Sequence, residues 1–278
     1  MSIATELQRI QTAKANLKTQ IEAKGVEVSS AATIDAYPTY VQNIQTGGGS
    51  ADNSKLLSVI DGTCSALTAS DLSGLTKINS YAFYRSNIES IEIPEGVTSI
   101  DTYAFQNSSL TGITISDSVT SIGGWAFQNC SRLTGIAIPS GVTSIESNTF
   151  ANCTVLTAVT LPDTVTSIGS SAFNNCSRLT GITIPDGVTS IQSNVFSYCS
   201  SLTEIIIPEG VTSIGGTAFM SCLALTSITC LNPVPPTLGN NVFNSTNNCP
   251  IYVPDESVET YKAAANWSNY ADRIQAIQ

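Results

Sequence analysis

The sequence predicts a mainly β solenoid with a period of 22–24 residues, an N-terminal α-helical module and a C-terminal helical cap. Three observations predict it. The unit LTGIAIPSGVTSIESNTFANCTV, from Leu133 to Val155, recurs from Leu156 and again from Leu179. A fixed period of this length marks units that bury their apolar faces only by stacking on their neighbours. A phenylalanine anchors each unit: Phe83, Phe105, Phe127, Phe150, Phe173, Phe196, Phe219 and Phe243, in steps of 22, 22, 23, 23, 23, 23 and 24 residues. Within a unit, period-2 alternation puts Ile136 and Ile138 inward and Ala137 outward.

The first element is an amphipathic helix over residues 3–24. Ile3, Leu7, Ile10, Lys14, Leu17, Ile21 and Lys24 fall at alternating spacings of four and three, an a/d seam holding two lysines. Gly25 stops it. A short second helix is expected near Ile34–Ile44, with Tyr37, Tyr40, Val41 and Ile44 on one side and Pro38 in its first turn. Helices this short are marginal alone. They need a partner, either another copy of the chain or the first coil of the solenoid. Ile3, Leu7, Ile10, Leu17 and Ile21 are the oligomerisation candidates. The domain reading is thus a helical attachment or oligomerisation module over 1–45, a Gly-rich linker over 46–53, a repeat solenoid over 54–232, and a last coil with its cap over 233–278.

In the solenoid, Leu-x-x-Ile-x-Ile is the strand pattern of a leucine-rich repeat. The following Val-Thr-Ser-Ile puts a second apolar pair on the opposite wall. Pro94, Pro139, Pro162, Pro185 and Pro208 sit at the strand end, where a missing N–H costs least. Pro-x-Gly is a turn signal. Phe83 to Ile88 and Phe105 to Leu110 are five residues apart, while Phe127 to Leu133 and its later equivalents are six apart. The extra residue therefore lies in the corner after the phenylalanine, where insertions are tolerated. Residues 51–80 read as a degenerate first coil, as expected of a cap. At the other end Pro233, Pro235 and Pro236 interrupt the repeat. Ile251-Tyr252-Val253-Pro254 forms a final coil, and a helix from about Ser257 should cover it with Val258, Tyr261, Ala265, Trp267, Tyr270 and Ile274. An uncovered β edge invites aggregation, so this cap has a structural purpose.

Charge narrows the function. Charged residues are 12% of the chain, and the net charge is −10. Residues 1–50 are neutral in sum, so the repeat body carries all of it. An acidic body without a Lys/Arg stripe argues against nucleic-acid phosphates and an anionic membrane surface. No apolar run approaches the ~20 residues that span a bilayer. The opening residues lack the apolar core of a signal peptide, so export by that route is not expected if Met1 is the true start. There is no histidine, which removes the commonest general base and metal ligand. No catalytic residues, cofactor or metal site are expected.

Four features are candidates for function. Cys130, Cys153, Cys176, Cys199 and Cys222 recur three residues after each phenylalanine, with Ser86 and Ser108 in the shorter units. Five equivalent positions cannot all pair, so a column of small buried thiols is expected. Cys64, Cys230 and Cys249 lie outside it, and a Cys230–Cys249 bridge is open to test. An acidic column, Glu95, Asp117, Asp163, Asp186 and Glu209, offers one carboxylate per unit, which suits a solvated face better than a cation site. Nothing suggests a cleft for paired carboxylates. Two residues before the phenylalanine stand Tyr81, Tyr103 and Trp125, with Tyr84 nearby; later units carry Asn148, Ser171, Asn194 and Thr217 there. An exposed aromatic row suits a sugar ring or a protein partner, or packs on the N-terminal helices or a neighbouring subunit. The outward face of the main sheet is flat and small, reading Gly112/Thr114, Gly135/Ala137, Ala158/Thr160 and Gly181/Thr183, with Glu92, Glu204 and Ile206 as exceptions.

These repeats resemble the BspA-type leucine-rich repeats of bacterial surface proteins over about residues 55–275, including the ending CPIYVPDESVETYKAAANWSNYADRI. The resemblance implies an adhesin or ligand-binding surface rather than an enzyme. Residues 3–46 resemble N-terminal segments of phage virion and tail-associated proteins. Together the two imply a virion-associated fibre or decoration protein. Its helices would join copies, as a homotrimer, to other virion proteins, and its repeats would meet a host cell-surface protein or glycan. A bacterial cell-surface adhesin for host matrix or glycan is the alternative, and purely structural decoration of a capsid or tail is another.

Overall fold

The computed structural model describes residues 64–278. The expected N-terminal helices, with Ile3, Leu7, Ile10, Leu17 and Ile21, the linker and the opening of the first coil lie outside the described residues. From Cys64 the chain winds into a parallel β solenoid of about nine coils. The first wall holds the Leu-x-x-Ile-x-Ile strands, such as Ser90–Ile93, Gly112–Ile115, Gly135–Ala137 and Ala158–Thr160. The second wall holds two-residue strands, such as Ser99–Ile100, Ser144–Ile145 and Ser167–Ile168. The third side carries the phenylalanines on turns rather than strands.

Each side contributes buried columns to the core. Ile136, Ile138, Val142, Ile145 and Phe150 are buried, as the alternation predicts, and Ala137 is exposed. Fully burying one such side chain is worth about 1.5–3 kcal/mol. The eight phenylalanines stack along the axis, ring centroids 5.1–5.8 Å apart. Between walls, Thr134, Thr157, Thr180, Thr203 and Thr226 each donate a hydroxyl to the carbonyl of the equivalent threonine one coil earlier, at 2.9–3.4 Å.

The third side has a backbone rule of its own. In the Phe83 coil, the amides of Tyr81, Phe83 and Arg85 donate to Thr102, Ala104 and Gln106 of the next coil, at 3.3, 2.7 and 2.9 Å. Aiming three alternate amides along the axis flips the two flanking residues into the left-handed region, with φ of 62° at Tyr81 and 54° at Arg85. Every later coil repeats the flip two residues before and two after its phenylalanine. Asparagine tolerates this conformation best among the larger residues. Asn107, Asn129, Asn148, Asn152, Asn175, Asn194 and Asn241 occupy it.

The walls are not continuous. Both ladders break at one height: Gly112–Ile115 does not pair with Gly135–Ala137, nor Ser121–Ile122 with Ser144–Ile145. The one-residue insertion after Phe127 falls between these coils. The longer corner thus displaces the following coil enough to cost the ladder on both walls, while the phenylalanine stack runs through. The first wall breaks again at residues 181–184, which form no strand although their sequence repeats that of paired units. The second wall stays paired there, Ile168 with Ile191 and Ile191 with Ile214.

The C-terminal end differs from the expectation in detail. The helix is short, Val258–Ala263, and is followed by the 3-10 segment Trp267–Arg273. Ile274 is not part of a helix; it opens the strand Ile274–Ala276, which extends the first wall by pairing with Ile251–Val253. Ala265 is exposed, and Ala264 packs on the core in its place. Tyr261 and Trp267 are fully buried, with polar tips bonded to the interrupted coil: Tyr261 Oη to Asn232 O and Trp267 Nε1 to Pro236 O, both 2.7 Å. Tyr270 Oη accepts the amide of Phe243 at 3.3 Å, standing in for the carbonyl the next coil would supply. Cys230 and Cys249 are both free thiols, so the bridge does not form. Cys230 lies in register with the inward residue Ile207, and Arg273 Nε donates to Cys249 O at 2.8 Å.

Candidate interaction surface

The aromatic residues come together at the N-terminal end of the third side. Tyr81 and Tyr103 stack at 4.8 Å and 18°, and Tyr103 and Trp125 at 5.3 Å and 28°. Tyr84 meets Tyr81 edge-on at 5.7 Å, and the Arg85 guanidinium lies 5.1 Å from the centre of the Tyr84 ring. The row is less exposed than its sequence suggests: Tyr81 is 39% exposed, and Tyr103 and Trp125 are half-buried. The three occupy the left-handed position that asparagine takes in the Phe150, Phe196 and Phe243 coils. An aromatic residue there costs on the order of 1–2 kcal/mol. Stacking offsets it by about 0.5–1.5 kcal/mol per pair.

The stacking also decides what the row can hold. A sugar packs on an open ring face. Here the face between Tyr81 and Tyr103, and that between Tyr103 and Trp125, is covered by the neighbouring ring. Beyond the two outermost ring faces, what remains is a ridge of ring edges and phenol tips beside a guanidinium. Tyrosine, tryptophan and arginine are the side chains enriched where proteins bind proteins.

The cysteine column carries no comparable surface. Cys130, Cys153, Cys176, Cys199 and Cys222 are fully buried. Each donates its thiol to the carbonyl of the phenylalanine one coil earlier, from Cys130 Sγ to Phe105 O at 3.1 Å through Cys222 Sγ to Phe196 O at 3.1 Å. Burial pushes the Cys130 and Cys222 thiols up to about 12 and those between well above the ordinary value of 9.0. The nucleophile is the thiolate, so these groups pack and donate but do not react near neutral pH. The acidic column, Glu95 to Glu209, lies exposed on the turns. Among the described residues no group of three or more His, Cys, Asp or Glu side chains is placed to hold a metal ion.

The outer face of the first wall is flat where its residues are small, but not throughout. A depression of about 400 Å³ opens at the unpaired residues 181–184. Ile182, Ile206, Pro208 and Leu231 line it, with Asp186 and Glu204 among them. Sequence reasoning missed it: the replacement of small outward residues by Glu204 and Ile206, and of the strand-end proline by Leu231, was its only trace.

A family model described as the BspA type leucine-rich repeat region, in six copies, matches residues 63–179 and 131–250, more than half of the chain. Among solved structures, a leucine-rich repeat protein from Bacteroides ovatus is 24% identical with a TM-score of 0.56, over 78% of this chain and 62% of that one, and shares the fold. A leucine-rich cell surface protein from Faecalibacterium prausnitzii is 26% identical with a TM-score of 0.45, over 78% of this chain and 64% of that one. A T. pallidum leucine-rich repeat protein is 28% identical with a TM-score of 0.46, over 59% of this chain and 68% of that one. The chain thus spans less than two thirds of the length of the Bacteroides and Faecalibacterium chains. No curated protein sequence matches it. The chain belongs to the BspA-type leucine-rich repeat family.

Proposed function

We propose that the protein is a non-enzymatic, adhesin-type interaction protein that grips a partner protein through the Tyr81, Tyr84, Arg85, Tyr103 and Trp125 cluster. One observation carries the reading: three aromatic residues are held in a backbone conformation where asparagine suffices in other coils. Sites of retained strain gather where binding selects them. The covered ring faces favour a protein over a glycan as the partner.

The test uses substitutions that respect the backbone. Tyr103→Asn and Trp125→Asn, singly and together, place at these positions the residue used at Asn148 and Asn194. The full chain and these variants are applied to arrays of extracellular-matrix proteins and of glycans. Saturable binding to a protein that weakens at least about ten-fold in the double variant, with the thermal midpoint held, supports the reading. Equal binding by the variants, or binding confined to the glycan array, overturns it.

The resemblance of residues 3–46 to phage virion segments favours a more specific reading, in which the same surface is displayed on a virion as a fibre or decoration and meets the host cell. The family match begins at residue 63, so this reading rests on the N-terminal sequence alone. It calls for self-assembly through residues 3–44, as a trimer, because multivalency raises weak contacts to useful avidity. Light scattering on the full chain and on a chain beginning at Ser50 tests it. A trimer that becomes a monomer on truncation supports display as a fibre; monomers in both favour a single-copy surface adhesin.

A further inference from the structure

The break in the first wall at residues 181–184 is a second place where the molecule is left unfinished. The strand Ala158–Thr160 precedes it and Glu204–Ile207 follows it, yet no backbone hydrogen bond joins residues 181–184 to either. The adjoining threonines still pair, Thr180 N to Thr157 O at 3.5 Å and Thr203 N to Thr180 O at 3.1 Å, so the opening is local. Backbone donors and acceptors left without partners cost free energy wherever water reaches them poorly. Ile184 is buried and Ile182 half-buried.

Over this opening lies the depression described above. Ile206 is 54% exposed and Leu231 40% exposed, beside carboxylates at Asp186 and Glu204, and no basic side chain lines it. A Cβ placed on Gly181 would meet nothing within 4 Å, so the floor is open at that point. Apolar walls beside two carboxylates are complementary to one chemistry. We propose that this groove docks an extended segment of a partner protein, one that seats apolar side chains against Ile206 and Leu231 and presents Lys or Arg to Asp186 and Glu204. Apolar contact supplies affinity and the two carboxylates supply selectivity, because the coils on either side of residues 181–184 keep a peptide from pairing with the main chain between them. The face is separate from the aromatic cluster, and the proposal stands or falls without it.

The full chain is titrated with a short peptide alternating lysine and valine, and with its counterpart carrying glutamate for lysine, by fluorescence anisotropy. Two variants probe the groove: Gly181→Leu fills open space on its floor, and Glu204→Lys reverses one wall. Glu95→Lys reverses a carboxylate on a turn four repeats away from Asp186. The expected result is saturable binding of the lysine peptide alone, weakened about ten-fold by each groove variant and unchanged by Glu95→Lys. Amide exchange at residues 181–184 should slow in the complex. The proposal is overturned if the lysine peptide does not saturate, if the glutamate peptide binds as well, or if Glu95→Lys weakens binding as much as Glu204→Lys. It is overturned too if light scattering shows this face to pair two copies of the chain. Should Gly181→Leu fail to fold, Glu204→Lys decides the matter alone.

Discussion

Two glycine-to-alanine substitutions, at positions twelve residues apart but opposite in setting, should shift stability in opposite directions. Gly169 leaves the second wall directly beneath the preceding coil. A Cβ added there would lie 2.5 Å from Ser147 N, 2.8 Å from Glu146 C and 3.0 Å from Ser147 Cα. All three are backbone atoms, so no flexible side chain can swing aside. Nor can the coil shift freely: Ser167 and Ile168 pair with Ser144 and Ile145, and Gly169 N donates to Ile145 O at 2.7 Å. Overpacking a well-filled site typically costs about 1–3 kcal/mol, and a rigid backbone contact belongs near the top of that range. Alanine also lowers the entropy of the unfolded chain, which returns about 0.4–1 kcal/mol. The net expectation for Gly169→Ala is a loss of about 2 kcal/mol. At roughly 2–4 °C per kcal/mol for a chain of this size, the thermal midpoint falls by about 4–8 °C. At Gly181 the added Cβ meets nothing within 4 Å, and only the unfolded-state gain operates. Gly181→Ala should therefore leave stability unchanged or raise it by up to about 1 kcal/mol. Urea unfolding followed by far-UV circular dichroism measures both. Shifts of the same sign, or a Gly169→Ala midpoint equal to that of the native chain, would refute the reasoning about coil spacing.

Three further outcomes are expected. The column thiols are held protonated by burial, Cys130 up to about 12 against an ordinary 9.0, so the stability tied to them is fully present below pH 9 and is lost as pH rises from about 9 towards 12. Urea midpoints across that range should fall less steeply in Cys130→Ala, and Ellman's reagent at pH 8 should leave the five column cysteines unlabelled until guanidinium exposes all eight thiols. Phe150 stacks on both Phe127 and Phe173, whereas Phe83 stacks only on Phe105 among the phenylalanines. Phe150→Leu should cost about 1–3 kcal/mol in lost ring pairs and Phe83→Leu about half as much, read from the same unfolding curves. Tyr270→Phe keeps the ring against Phe243 at 5.4 Å but strips the acceptor from the last phenylalanine amide, and should cost about 1–3 kcal/mol with faster amide exchange at Phe243.

Much of the fold was legible in the residues because a repeat states its rule many times. Inward Ile136, Ile138, Val142 and Ile145, and the phenylalanine anchors, follow from spacing alone. The insertion after Phe127 was visible too, since a corner loop absorbs length that a strand cannot. The C-terminal cap was less legible. Tyr261 and Trp267 are buried as apolar residues near an open coil should be, but nothing local told helix from strand at Ile274, which pairs with Ile251. The aromatic row could be named, yet its exposure could not be judged without the stacking distances that close its ring faces.

By itself the sequence determined the period, the inward columns and the acidic, histidine-free surface, because each is a property of residue type at fixed spacing. Tertiary structure decided the rest, where one coil meets the next. Left-handed backbone at Tyr81, Tyr103 and Trp125 arises from amides that must reach the following coil. Whether Gly169 is required and Gly181 is spare depends on how near a neighbouring backbone passes. Residues 181–184 stay unpaired although their letters match those of paired units, so the groove belongs to the packing of adjacent coils. A hydrogen bond between coils joins residues some twenty-three apart, and its formation is settled by the height at which each coil comes to rest.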